Sequence, residues 1–126
     1  MDRSTSASQD HSPLACMPSA LAANQRAAHH DDADRLFHTA VQERIDLPDG
    51  LAVRCAATDY DLVMTFVAQE RRCCPFFHFV IEITPNHGPI WLRITGAEGT
   101  KAVLEAGLEA LREVCAPDSV ENGPGV

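Results

Sequence analysis

Long apolar runs and basic residues are both scarce in this chain of 126 residues. Its apolar stretches fall far short of the ~20 residues that a membrane-spanning helix needs. The first residues, 1–6, are polar and do not form the apolar core of a signal peptide. Only 10 Lys and Arg residues accompany 18 Asp and Glu residues, so the net charge is -8. An acidic surface repels phosphate backbones, and we expect a cytoplasmic protein that binds neither membranes nor nucleic acid.

A disulfide framework is also missing. The chain has five cysteines, an odd number without regular spacing, and it is long enough to build a core without cross-links. We therefore expect free thiols, as in a reducing cytosol. Cys55 and Cys115 fall on predicted core faces and are interpreted as packing residues. The paired Cys-x-x-Cys or His-x-x-x-His spacings of structural zinc sites do not occur.

The order of hydrophobic patterns predicts a single α+β domain over residues 19–116. Residues 1–18 are expected to form a mobile N-terminal arm, and residues 117–126 a frayed C-terminal tail. The fold we predict is an N-terminal helix followed by two hairpin-helix units, with a four-stranded, mainly antiparallel sheet and helices on one face. The predicted elements are a helix at 19–40, strands at 41–47 and 51–56, a helix at 59–74, strands at 76–83 and 90–95, and a helix at 101–115.

The predicted helix at 59–74 carries a carboxylate among apolar side chains. At about 100° per residue, Leu62, Phe66 and the two terminal cysteines share one face, and Glu70 lies near its middle. A buried carboxylate without a partner costs several kcal/mol, so a metal ion, an arginine or a ligand should satisfy Glu70. The alternative is that the last turn frays and Glu70 reaches water.

Cys73 and Cys74 end this helix. Neighbouring cysteines cannot form an unstrained disulfide with each other, and the helix C-terminus disfavours a thiolate. A metal ion removes the thiol proton itself, so coordination is favoured over nucleophilic catalysis. The candidate metal ligands are Cys73 and Cys74, with Cys16, Glu70 or a histidine as a further ligand. A site with two or three thiolate ligands and a low coordination number suits soft ions such as Hg(II), Cu(I) or As(III). The alternative is that both cysteines only pack in the core.

The segment 70–79, Glu-Arg-Arg-Cys-Cys-Pro-Phe-Phe-His-Phe, resembles a Glu-Arg-x-Cys-Cys-Pro-Phe-Phe segment of small uncharacterised bacterial proteins. It is similar as well to the domain that follows the DNA-binding part of some mercury-responsive-type regulators. The similarity extends through residues 47–50 and 91–96 and towards residues 14–16. The resemblance implies heavy-metal handling through Glu70, Cys73 and Cys74. A regulator's DNA binding is not implied, because these residues include no helix-turn-helix ahead of the domain.

Three hypotheses follow from these patterns. The first is a cytoplasmic protein that binds a thiophilic metal or metalloid ion through the vicinal cysteines. The second is a thiol-dependent enzyme, for example for organomercurial cleavage, in which Glu70, Cys73 and Cys74 are catalytic and Glu70 is the acid-base. The third is a small interaction module that forms a homodimer through a sheet edge, with structural cysteines. The metal hypothesis requires the sulfur atoms and Glu70 to share one accessible pocket.

Overall fold

The computed structural model describes the backbone of residues 16–120 and the side chains of residues 16–111. Within this range the chain forms three α-helices and a four-stranded antiparallel sheet, which confirms the predicted α+β fold. In chain order the elements are α1 (Ala23–Arg35), β1 (Val41–Leu47), β2 (Gly50–Cys55), α2 (Tyr60–Cys73), β3 (His78–Ile83), β4 (Ile90–Thr95) and α3 (Thr100–Val120).

The four strands lie in the order β1-β2-β4-β3, and each neighbouring pair is antiparallel. The predicted Pro-Asp-Gly turn joins β1 to β2, and Gly50 opens β2. A Cβ atom at Gly50 would lie 1.9 Å from the backbone oxygen of Ile94, so only glycine fits there. This close approach to β4 belongs to the register in which Leu51 lies opposite Ile94, and Val53 opposite Leu92.

Helices cover one face of this sheet, as predicted. Alternate residues of β2 and β4 point into the core, where Leu51, Val53, Leu92 and Ile94 are 0% exposed. They pack against apolar residues of all three helices, namely Ala33, Val63, Phe66, Val67, Leu104 and Leu111. The sheet centre is thus the hydrophobic base on which the helices are arranged.

The first helix is shorter than predicted. Residues 18–20 form a 3₁₀ turn, and α1 begins only after Ala22, whose N–H donates to the Gln25 side chain at 2.9 Å. Leu21, between these two segments, is buried and fixes the change of direction. At the other end the regular helix stops at Arg35, and a π-helical turn over residues 36–40 leads into β1. The prediction of one continuous helix over 19–40 was wrong, because it followed composition and missed these tertiary contacts.

The other helices and strands lie close to their predicted ranges, with two corrections. β3 begins at His78 instead of Phe76, and Ile83 at its end is 59% exposed because β3 is an edge strand. The last helix continues to Val120, past the predicted end at Cys115. Pro117 lacks a backbone N–H donor, but the helix continues through this residue. The rest of the predicted arm and tail, residues 1–15 and 121–126, lies outside the described residues. None of the helices within 16–120 has the length and apolar character to cross a membrane.

Two side-chain contacts attach the start of α3 to the first hairpin. Arg44 on β1 donates to both carboxylate oxygens of Glu105 at 3.0 and 2.9 Å. Lys101 donates to the backbone oxygen of Leu47 at 2.5 Å. These contacts fix where α3 crosses the sheet and so which of its residues face α1 and α2. β1 and β3 are the sheet edges, and the homodimer predicted from such edges stays a prediction.

Candidate functional site

The N-terminal strap, which we define as residues 16–21, lies across the C-terminal end of α2. The Met17 N–H donates to the backbone oxygen of Cys73 at 2.5 Å, and Arg72 donates to the backbone oxygen of Ala20 at 3.1 Å. The last carbonyl groups of a helix have no partner within the helix, so the strap satisfies one of them. Leu21 anchors the other end of the strap with 2% exposure. These contacts place Cys16 next to the paired cysteines.

Cys16 and Cys74 form a disulfide, with their Cα atoms 4.4 Å apart. This corrects the expectation that all the cysteines are thiols. The two residues are 58 positions apart, and only the path of the N-terminal strap over α2 makes them neighbours. Cys16 is exposed, whereas Cys74 is buried. The bond is therefore open to attack from solvent at its Cys16 sulfur.

Glu70 finds its partner in a histidine of α1. The His29 Nε2 atom lies 2.7 Å from Oε1 of Glu70, and the two side chains are 10% and 17% exposed. The His29 ring stacks on Phe66, with ring centroids 5.3 Å apart. The carboxylate predicted to need a partner thus has one, and it is neither an arginine nor a frayed path to water. His29 Nδ1 is buried without a hydrogen-bond partner in the described part of the chain.

Cys73 lies between this pair and the disulfide. Its Sγ is 3.8 Å from Oε1 of Glu70 and 3.9 Å from Sγ of Cys74. Burial, and then the negative charge of Glu70, raise the pKa of the Cys73 thiol to about 11. At neutral pH Cys73 is therefore a protonated thiol whose S–H points to a carboxylate. One ligand atom from each of His29, Glu70 and Cys73 falls within 4.8 Å of the others, so these residues could hold a single ion.

All these groups line one cavity of about 400 Å³. The sulfur atoms, His29 and Glu70 occupy one part of its wall. The remaining wall is mostly apolar and comes from α1, α2 and α3 and the segments that follow α1 and α2, through Ala33, Phe37, Phe66, Phe77, Leu104, Leu108 and Leu111. The cavity is not closed, because Gly107 and Cys16 on its wall are exposed.

The four residues predicted as metal ligands are brought together. Cys16, Glu70, Cys73 and Cys74 all contribute to the cavity wall, although a disulfide now joins two of them. Cys55 lies elsewhere, in the core of the sheet, and the Cys115 side chain lies outside the described residues.

A histidine was allowed as a further ligand, but His29 was not named among the predicted metal ligands. A usable signal was present, because His29 lies on the apolar stripe of one helix and Glu70 on the apolar side of another. Two polar groups on two buried faces stabilise each other when the helices pack together.

Comparison of the chain with protein-family models, curated proteins and solved structures gave no match. The resemblance of the segment 70–79 to the bacterial Cys-Cys-Pro-Phe-Phe proteins stays a prediction. The geometry of this site is therefore what indicates a function for the chain.

Proposed function

We propose that the protein, with its disulfide reduced, is a cytoplasmic binding protein for a thiophilic metal or metalloid ion, held by Cys16, Cys73 and Cys74. One observation carries the proposal: the sulfur atom of Cys16, distant in sequence, meets the sulfur atoms of Cys73 and Cys74 and the Glu70 carboxylate on the wall of a single open cavity. Two or three thiolates with few competing oxygen ligands suit soft ions such as Hg(II), Cu(I) or As(III) better than magnesium or calcium.

Binding through all three sulfurs first requires reduction of the disulfide. A dithiol reductant supplies two electrons and two protons, the bond between Cys16 and Cys74 breaks, and the reductant becomes a disulfide. Exposure of Cys16 favours attack at its sulfur, with Cys74 as the leaving thiolate. In a reducing cytoplasm the thiol form is the expected one.

Glu70 has a defined task in this proposal. Cys73 is a protonated thiol, so a metal ion that binds its sulfur must displace the S–H proton. Oxygen Oε1 of Glu70, at 3.8 Å, is placed to accept that proton, and His29 holds the carboxylate in position. The same carboxylate provides a negative charge next to a bound cation. Glu70 thereby favours the metal-bound state over the free thiol.

The test is retention of Hg(II) by the reduced protein against excess glutathione, because any exposed thiol binds Hg(II) when no competitor is present. We expect one equivalent to stay on each chain, with absorption from thiolate-to-mercury charge transfer. The Cys73→Ser/Cys74→Ser variant should lose it. Cys55→Ala, which removes a thiol from the core of the sheet, is the matched control and should retain the metal.

Two results would refute the proposal. One is a wild-type protein that yields its Hg(II) to glutathione as readily as the double variant does. The other is an equal loss in Cys55→Ala, since Cys55 does not line the cavity. Circular dichroism of each variant separates loss of metal from loss of fold.

A second candidate function is cleavage of a carbon–mercury bond, favoured by the contact of the His29–Glu70 pair with Cys73. In this reaction a proton from Glu70 would go to carbon, the carbon–mercury bond would break, and mercury would stay on the sulfur atoms. Product that accumulates beyond one equivalent per chain supports this function. A stop at one equivalent excludes turnover.

A further inference from the structure

We infer that the guest of this site is an organic derivative of a soft metal ion, R–M, whose apolar group R lies in the cavity while M binds the sulfur atoms. The inference deepens the proposed metal binding and rests on it. It is carried by a juxtaposition: the sulfur ligands are at one part of the cavity wall, and most of the remaining wall is apolar, although Arg26 and His30 also contribute to it.

The size of the cavity exceeds what a bare ion needs. An ion bound at sulfur–metal distances of ~2.3 Å fills a small part of about 400 Å³. An engineered apolar cavity of about 150 Å³ in another protein binds benzene. The cavity volume is therefore larger than a phenyl or short alkyl group beside the cysteines requires. Burying such a group removes apolar surface from water, which stabilises the complex beyond the metal–sulfur bond.

Aromatic rings line the cavity, and one of them contacts the histidine of the site. Phe66 stacks on His29, and Phe37 meets the Phe66 ring edge to face, with centroids 5.5 Å apart. Phe77 follows the paired cysteines by three residues and also lines the cavity. A planar group attached to the metal would meet ring faces and edges, the contacts that aromatic groups prefer.

The part of the cavity wall that α3 contributes includes a glycine. Leu104, Gly107, Leu108 and Leu111 lie on one face of α3 at helical spacing, and all four line the cavity. A Cβ atom at Gly107 would have no heavy atom within 4 Å. Glycine inside a helix costs about 1 kcal/mol relative to alanine. Gly107 is exposed, so at this cost the helix has an open position on the cavity wall.

The chemistry of binding balances without a further reactant. For a phenylmercury cation, a mercury–sulfur bond forms, the S–H bond of one cysteine breaks, and the proton leaves to Glu70 or water. The carbon–mercury bond is kept, and no electrons are transferred. Carbon already occupies one of the two strong coordination positions of mercury, so a single thiolate fills the other. The remaining cysteine sulfur atoms are then available for weaker contacts with the metal.

The experiment compares reduced wild type with Gly107→Phe, which adds an aromatic ring at a position on the cavity wall without altering any sulfur. The probes are phenylmercury, methylmercury and Hg(II), each in competition with glutathione. Wild type should retain phenylmercury about tenfold better than methylmercury, relative to glutathione. Gly107→Phe should abolish this difference and keep Hg(II) within about twofold of wild type. Gly107→Ala, with one methyl group added, is the matched control and should keep most of the preference.

The outcomes separate the two proposals. If wild type loses Hg(II) to glutathione, metal capture itself is wrong. If Hg(II) is retained but phenylmercury has no advantage over methylmercury, only the organic guest is overturned; this comparison needs no variant and holds even if Gly107→Phe does not fold. A preference for phenylmercury over methylmercury that persists in a folded Gly107→Phe variant also overturns the inference. The phenyl group of the probe would then bind outside the cavity.

Discussion

Cys55 and Cys73 are both buried thiols whose pKa is raised to about 11, yet their surroundings differ. Cys55 is 0% exposed in β2, opposite Ile90 of β4, and belongs to the core of the sheet. Cys73 contacts a carboxylate and a second sulfur and lines a cavity. Burial raises both pKa values, so neither burial nor pKa distinguishes the two. The polar neighbours and the access through the cavity mark Cys73 as the candidate functional thiol.

The largest difference between the two regions should come from the disulfide next to Cys73. A bond across 58 residues removes enough unfolded-chain entropy to contribute about 4 kcal/mol in the loop-closure model. We expect Cys16→Ser to lower the free energy of unfolding by up to that amount in urea without reductant. With reductant, wild type and Cys16→Ser should unfold at the same midpoint. Equal stability of the two proteins without reductant would contradict this.

The sheet centre around Cys55 should depend on packing alone. Leu92→Ala removes a side chain that is 0% exposed and lies opposite Val53, and we expect a loss of about 3 kcal/mol in urea unfolding. Ile83→Ala, at an exposed strand end, should cost less than about 1 kcal/mol. The folded Leu92→Ala variant should still retain Hg(II) against glutathione. Loss of retention in folded protein would show that the two regions are not separable.

Unfolding at alkaline pH should test the raised pKa that the thiols of Cys55 and Cys73 share. Their pKa values rise from 9.0 to about 11 on folding, so the folded state holds these protons more tightly than the unfolded state does. The resulting stabilisation is present below about pH 9 and is lost as pH rises towards 11. Urea unfolding of the reduced protein should show a midpoint that falls over this range. In Cys55→Ala/Cys73→Ala the fall should be shallower, and an identical slope would exclude both thiols as its source.

The smallest effect we predict separates the two thiols. Glu70→Gln removes the negative charge that helps to raise the pKa of Cys73, while the charge near Cys55 comes from Asp59. Iodoacetamide should therefore alkylate Cys73 several-fold faster at pH 8, with the disulfide intact and the rate at Cys55 unchanged. Peptide mass spectrometry locates the label. Glu98→Gln, at an exposed position before α3, is the control, and a similar acceleration there would contradict the assignment.

The fold was predictable from local patterns. Alternation in both hairpins and the Pro-Asp-Gly turn predict the sheet, because each signal lies within a few residues of the structure it specifies. The break before α1 was not predictable, since the segment ahead of it is held by contacts of Met17 and Ala20 with the end of α2. The site likewise has a part that local sequence predicts and a part that depends on tertiary contacts. Glu70, Cys73 and Cys74 lie within one helical turn and a half, so their proximity follows from the helix period.

The remainder of the site depends on contacts between distant segments. The disulfide depends on the path of the N-terminal strap, and no spacing between Cys16 and Cys74 encodes that path. The pairing of His29 with Glu70 requires the relative position of two helices. The cavity reflects the side-chain volumes on three helices, and a sequence pattern does not give such volumes.

The hydrogen bond from Met17 to Cys73 has a consequence for the reduced protein. It joins backbone atoms, so it does not depend on the oxidation state of the neighbouring sulfurs. After reduction this bond should keep Cys16, one residue away, close to the paired cysteines, so the chelator that we propose would be preorganised. Closing a ring through a soft ion then costs little chain entropy, although 58 residues separate two of the ligating arms. Affinity in such a chelator is set by the metal–sulfur bonds themselves, with little lost to rearranging the polypeptide.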